Sequence, residues 1–227
     1  MGKMVNQRRK NIQLKSKKLI LKTKNLIIVL TRNPELGKVK SRLAKSIGKE
    51  AALDVFVKLL EHTEKTIRPI NADKAIYYSE TIGINDIWDE SIYQKHLQVD
   101  GDLGKRIEKA FKNGFETGYQ NIIIVGSDLY DLAPNHIETA FEALKTYDTV
   151  IGPADDGGFY LLGMKTLHSA IFKNKEWGTE TVFEATITDL EQHSTYILES
   201  LNDIDYVEDL KPHKEFNYLF STKDQFI

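Results

Sequence analysis

The stretch Asn121-Ile-Ile-Ile-Val-Gly-Ser-Asp-Leu-Tyr-Asp-Leu132 decides the fold. Ile122 to Val125 is an unbroken apolar, β-branched run. A strand without polar alternation is one covered on both faces, as in a parallel sheet. The run stops at Gly126-Ser127-Asp128, so a carboxylate stands just past the carboxyl edge of the strand. In open α/β sheets ligands bind outside that edge. A hard oxygen donor there suits Mg²⁺ or Mn²⁺ holding a diphosphate. The plainer reading is that Asp128 caps the helix or turn that follows.

Strands and helices alternate on either side of this segment. Leu26–Leu30 reads as a first strand, followed by a loop that Asn33-Pro34 and Gly37 break before Lys40. A short helical stretch at 41–47 stops at Gly48, and 49–67 carries apolar residues at helical spacing. Strands are expected at 74–79, 96–99, 148–151, 159–163 and 195–198. Helices are expected at 86–89, 103–117, 134–144, 177–190 and 207–210. This alternation predicts an α/β protein with a mostly parallel sheet wrapped on both faces. We expect one domain over residues 25–227, preceded by a basic extension at 1–24.

Composition narrows the classes. With 227 residues, 41% hydrophobic and 28% charged, the chain can bury a substantial core. It has no cysteine, which excludes disulfides, zinc–thiolate sites and thiol nucleophiles. No apolar run approaches the ~20 residues of a membrane span, and no secretory signal is evident, so a cytoplasmic location is expected. Residues 1–24 hold 9 of the 31 basic residues and no acid, leaving 22 basic against 33 acidic residues in the remainder. An acidic body argues against nucleic-acid binding. The leader suits weak contact with a membrane surface, although a partly ordered extension is the plainer reading.

Four further constellations carry chemistry. Arg32, Lys38, Lys40 and Arg42 follow the first strand, where four cations suit a triphosphate or nucleoside diphosphate. Neither P-loop nor dinucleotide-fingerprint spacing is present. Asp100-Gly-Asp-Leu-Gly-Lys-Arg106 is a tight turn into a helix, with Gly104 open to close approach or Asp102 acting as a simple cap. Ile151-Gly-Pro-Ala-Asp-Asp-Gly-Gly-Phe159 sets Asp155 and Asp156 before Gly157 and Gly158, either as a plain hairpin or as a turn holding backbone against a ligand. Asp203 and Asp205 lie two apart, on one face if extended, and would complete a metal site with Asp128 unless they sit in a surface loop.

Together these segments resemble the nucleotide-diphospho-sugar transferase (GT-A-like) superfamily. More closely they resemble the small bacterial glycosyltransferases associated with radical-SAM and arsenosugar-biosynthesis gene neighbourhoods. The resemblance rests on Arg32-x-Pro-x-x-Gly-Lys-x-Lys-x-Arg-Leu-Ala44, Gly101-Asp-Leu-Gly-x-Arg106, Gly126-Ser-Asp128, Gly152-Pro-Ala-x-Asp-Gly-Gly-Phe-Tyr-Leu-Leu-Gly163 and Trp177-Gly-Thr179. It covers roughly residues 25–210. Leu129-Tyr130 stand where the family tends to have Cys-Pro, which alters the acceptor-side wall.

The resemblance implies a three-layer α/β/α sandwich with a Rossmann-like (GT-A-like) central sheet. It implies that Arg32, Lys38, Lys40 and Arg42 cradle phosphates, that Asp102, Gly104 and Arg106 border base and ribose, and that Asp128, Asp203 and Asp205 bind Mg²⁺ or Mn²⁺. Gly157, Gly158 and Trp177 would border the acceptor, with Asp156, and Asp155 after it, as the catalytic candidates for the base that takes the acceptor's proton. The activity expected first is metal-dependent glycosyl transfer from a nucleotide sugar to a small-molecule acceptor. The alternative is nucleotidyl transfer from a nucleoside triphosphate, because the loop Gly37–Leu43 resembles that of phospholactate guanylyltransferases. A nucleotide-binding regulator without catalysis is disfavoured by the acids at Asp128, Asp203 and Asp205. The oligomeric state is not legible in the sequence.

Overall fold

The structure, a computed structural model, describes residues 25–220; the basic leader and the last seven residues lie outside the described residues. Seven strands form one sheet: β1 (Asn25–Thr31), β2 (Asp73–Tyr78), β3 (Tyr93–Leu97), β4 (Asn121–Val125), β5 (Thr149–Pro153), β6 (Phe159–Met164) and β7 (Thr195–Ile197). Their order is β3-β2-β1-β4-β6-β5-β7. Every neighbouring pair is parallel except those of β6, which runs antiparallel between β4 and β5. The helices are α1 (Ser41–Ile47), α2 (Lys49–Ile67), α3 (Leu103–Glu116), α4 (Pro134–Ala143), α5 (Val182–Asp189) and α6 (Val207–Leu210). None of the described helices is long and apolar enough to cross a membrane.

The apolar run of β4 shows why the sheet is covered twice. Ile123 and Val125 point into one core with Phe56 and Leu60 of α2 and Ile137 and Phe141 of α4. Ile122 and Ile124 point the other way, onto Ile107 and Phe111 of α3. The result is the expected three-layer α/β/α sandwich. A third apolar cluster sits on the outer side of α2, where Val55 and Leu59 meet Leu43 of α1 and the late residues Ile204, Leu210 and Phe216. It anchors the C-terminal segment beside α1.

Three boundaries depart from expectation for identifiable reasons. Residues 86–89 form a turn rather than a helix, because the Asp86 carboxylate is engaged by the Tyr78 hydroxyl, the Trp88 N–H and Lys95. β3 begins three residues early, at Tyr93, whose buried ring packs edge-on against Trp88. The helix expected from 177 begins at Val182. Gly178 takes a positive φ of 83°, and the Phe183 N–H donates to the Gly157 carbonyl at 2.8 Å, so 177–181 folds as a turn. Two 3₁₀ segments, Ser169–Phe172 and Lys214–Leu219, went unforeseen.

The strand order reverses between β1 and β4. The chain leaves β1 towards β2 and β3, then returns on the other side as β4. At that reversal the loops after two neighbouring strands part, leaving a crevice at their carboxyl ends. Register aligns Val29 with Val125, so the loop beginning at Arg32 and the segment Gly126–Asp128 flank the same edge.

Candidate functional site

Four acids and one lysine converge at this edge. Asp128 follows β4. The C-terminal segment travels beside β5, where the Leu201 N–H donates to the Pro153 carbonyl and the Asp155 N–H to the Leu201 carbonyl. It then reaches β4, where the Ile204 N–H donates to the Asp128 carbonyl at 3.0 Å. Ile204 is 0% exposed and plugs the third cluster. With Ile204 facing inward, Asp203 and Asp205 turn outward together, as extended spacing predicts. Asp209, which sequence reasoning missed, holds this segment: its carboxylate accepts from the N–H groups of Asp205 (2.9 Å) and Tyr206 (2.6 Å) and from the Asn202 amide (3.0 Å). Its signal was an acid in the first turn of α6, faint beside a Tyr at the cap.

Lys40 occupies the centre. Its Nζ lies 3.2 Å from Asp128 Oδ2 and 3.1 Å from Asp205 Oδ1, and Arg42 Nη1 donates to Asp205 Oδ2 at 2.9 Å. Burial works to lower the Lys40 pKa, but Asp128 and Asp205 outweigh it and leave the ammonium stabilised. Arg42 lies over the Tyr206 ring and is raised by Tyr206 and Asp205. Asp203 is the strained member. Burial, then the charges of Asp128, Asp156 and Asp205, push its carboxyl up to about 7 against the pull of Lys40. Among the described residues no three acids or histidines stand ready to hold a metal ion. Asp128, Asp203 and Asp205 do come close enough to feel one another's charge, but the Lys40 ammonium sits against Asp128 and Asp205.

The four loop cations thus divide. Lys40 and Arg42 join the acids. Lys38 stays at the surface, paired with Glu35 at 2.7 Å and Glu80 at 3.1 Å, and Arg32 donates to the Lys38 carbonyl at 3.4 Å. Asn33 ties this loop to the one after β2, accepting from the N–H groups of Glu80 and Thr81.

The segment 101–106 behaves as a capped helix start. The Asp102 carboxylate accepts from the Lys105 N–H at 2.8 Å. Gly104 is not open to a ligand: a Cβ there would lie 2.6 Å from the Phe172 carbonyl oxygen and strike the Trp177 indole. Its smallness serves packing. Arg106 holds the Gly101 carbonyl at 2.9 Å and leans on Gln98, whose amide donates to the carbonyls of Thr31 and Tyr77 at the sheet edge. Gln98 carried no sequence signal.

The acidic turn 154–158 joins β5 to β6 as a hairpin, so the plain hairpin reading holds for its backbone. Its two acids are inequivalent. Asp155 accepts from the Ser200 hydroxyl. Asp156 accepts from the Gly158 N–H at 2.8 Å, and its charge reaches Asp203. Gly157 has φ +85° and abuts the Glu180 backbone, which a Cβ would strike. Trp177 packs over Gly104, edge-on to Phe159, rather than standing free. Tyr130 turns from the acids into a ring cluster with His62, His213 and Phe216, while Leu129 is buried in the core. Two hollows lie elsewhere, beside His136 and Glu199 and beside Lys175 and Asp189. Neither is lined by an acid of this cluster.

The model of a family described as "Uncharacterized protein conserved in bacteria (DUF2064)" matches residues 64–179. A protein from Desulfovibrio desulfuricans G20, whose crystal structure is described as that of a "putative nucleotide-diphospho-sugar transferase", aligns with a TM-score of 0.76 and 27% identity, over 89% of this chain and 90% of that one. The 4-diphosphocytidyl-2C-methyl-D-erythritol synthase of Anaerococcus prevotii DSM 20548 shares the fold, with a TM-score of 0.56 and 11% identity over 86% of this chain and 96% of that one. The 2-phospho-L-lactate guanylyltransferase of Methanocaldococcus sp. (strain FS406-22) is 26% identical over 133 residues, 58% of this chain and 56% of that protein. The chain spans little more than half the length of the curated relatives it matches. The fold is that of the nucleotide-diphospho-sugar transferase superfamily.

Proposed function

The chain belongs to the bacterial DUF2064 family, and we propose that it is a nucleotidyltransferase, moving a nucleoside monophosphate from a nucleoside triphosphate to a small phosphate- or carboxylate-bearing acceptor. The carrying observation is the cluster of Asp128, Asp203 and Asp205 about Lys40 at the β1/β4 crevice, beside a loop bearing Arg32 and Lys38. The guanylyltransferase relatives support this over the glycosyl transfer that the motifs favour at first sight.

In this reading Arg32 and Lys38 hold the outer phosphates. Lys38 can exchange Glu35 and Glu80 for phosphate readily, because exposed ion pairs are screened by water and salt. Asp102, Gln98 and Arg106 line the base and ribose side. An acceptor oxygen attacks the α-phosphorus, the bond from that phosphorus to the β-bridging oxygen breaks, and pyrophosphate leaves. A phosphate or carboxylate acceptor is already anionic and needs no base; a hydroxyl acceptor would lose its proton to Asp156. Asp128, Asp203 and Asp205 would hold Mg²⁺ or Mn²⁺, whose charge offsets that of the departing pyrophosphate. Their donor chemistry fits such an ion, since the structure already sets a cation between the carboxylates of Asp128 and Asp205, with the charge of Asp203 close by.

Glycosyl transfer is the second reading, favoured by the Desulfovibrio protein. Thermal shift separates the two. A triphosphate with Mn²⁺ at 100 times its dissociation constant stabilises by about 2.7 kcal/mol. Nucleotidyl transfer predicts that a triphosphate outperforms every nucleotide sugar; the reverse order selects glycosyl transfer.

A further inference from the structure

Lys40 differs from every other cation of its loop. Its side chain is 6% exposed, against 55% for Lys38. Its backbone is left-handed, at φ 45° and ψ 49°, which a residue with a side chain adopts reluctantly. Val39 and Leu43 are buried on either side, so the turn is pinned and the side chain is aimed. Its Nζ bridges Asp128, delivered by β4, and Asp205, delivered by the C-terminal segment. Oxygen donors from two distant parts of the chain therefore meet at one ammonium. Those donors suit a hard divalent ion, yet as they stand they are arranged for Lys40.

We propose that Lys40 is a displaceable resident cation: it neutralises Asp128 and Asp205 until a nucleotide's phosphate draws its ammonium away, and only then do these acids accept a divalent ion. The idea rests on the nucleotidyl-transfer reading and deepens it. A divalent ion on the carboxylate oxygens that Lys40 holds would sit close to its ammonium, and like charges about 4 Å apart in a partly buried site repel far more than in water. The lysine stem has four flexible carbons, so its head can move to phosphate without moving the pinned backbone. Binding is then ordered. Metal does not dock first, and the nucleotide unlocks the metal site that its own transfer requires. Lys38, paired at the surface, has no such role.

The test measures Mn²⁺ binding to the full chain by titration with electron paramagnetic resonance, without nucleotide. Wild type, Lys40→Met and Lys40→Gln are compared. The expectation is a dissociation constant at least about tenfold lower in both variants than in wild type, and a Mn²⁺-dependent rise in melting temperature in the variants that wild type lacks. If Lys40→Met fails to fold, Lys40→Gln carries the comparison, since its amide still donates to the acids. A triphosphate added to wild type should bring its Mn²⁺ affinity to the level of the variants. Equal Mn²⁺ affinity in wild type and variants, or binding by none of them, overturns the proposal. If triphosphate still binds wild type in that case, the transferase reading survives. If no triphosphate binds under any condition, both fall.

Discussion

The outer and inner ends of the loop after β1 carry the same kind of residue in different physical settings. At the outer end Lys38 is half-exposed and shares the surface acids Glu35 and Glu80. At the inner end Lys40 is buried and shares Asp128 and Asp205, which come from other parts of the chain. The outer pairs are local or rim contacts that water and salt screen. The inner pairs hold together α1, β4 and the C-terminal segment. A lysine's role here is set by which acids the topology delivers to it, not by its place in a cationic motif.

The largest effect is expected beneath the inner end. Ile204 is fully buried, and its N–H ties the late acids to Asp128. Ile204→Ala should cost about 2–5 kcal/mol in urea denaturation, and it should loosen Asp203 and Asp205 together. A loss below about 1 kcal/mol would mean the inner end does not depend on the third cluster.

An intermediate effect is expected from Asp203. Its neighbours are Asp128, Asp156, Asp205 and Lys40, and the balance holds its carboxyl up to about 7. An unfolded Asp titrates near 3.9. Between these values the folded chain keeps a proton that the unfolded chain has released, so this contribution is complete below about pH 4 and is lost as pH rises through 7. Allowing for solvent screening, the swing is about 1–2 kcal/mol. Asp203→Asn should flatten that part of the stability–pH curve and leave the variant more stable than wild type at pH 8. An unchanged curve would place the strain elsewhere.

The smallest stability effect is expected at the outer end. Lys38→Ala should leave the urea denaturation midpoint essentially unchanged, because its ion pairs are exposed and screened, yet weaken a nucleoside triphosphate more than the bare nucleoside. Equal weakening of both ligands would make the outer end a merely structural loop.

Much of the frame was legible because it follows from local pattern. The apolar run 122–125 announced a doubly covered strand, and Gly126-Ser127-Asp128 announced its carboxyl edge. The spacing of Asp203 and Asp205 announced a shared direction. What escaped depends on contacts far apart in sequence. Nothing local separates Lys40 from Lys38, since the difference comes from residues 128 and 205. Gly104 looked like a place for ligand but is one for the Trp177 indole. The turn at 177–181 was expected as the start of the helix that becomes α5, while Gly178 and the contact with Gly157 forbid it. The hairpin reading of 151–159 implied that β6 runs antiparallel to β5, but its insertion beside β4 could not be read from strand pattern, because a buried strand looks the same in either direction.

The most direct measurement is a crystal structure with a nucleoside triphosphate and Mn²⁺. The triphosphate should lie across the carboxyl ends of β1 and β4, its outer phosphates on Arg32 and Lys38, with Mn²⁺ on Asp128 and Asp203 or Asp205, and Lys40 moved from the acids to a phosphate oxygen. A triphosphate bound away from this crevice, or one bound within it while Lys40 still bridges Asp128 and Asp205, would contradict it.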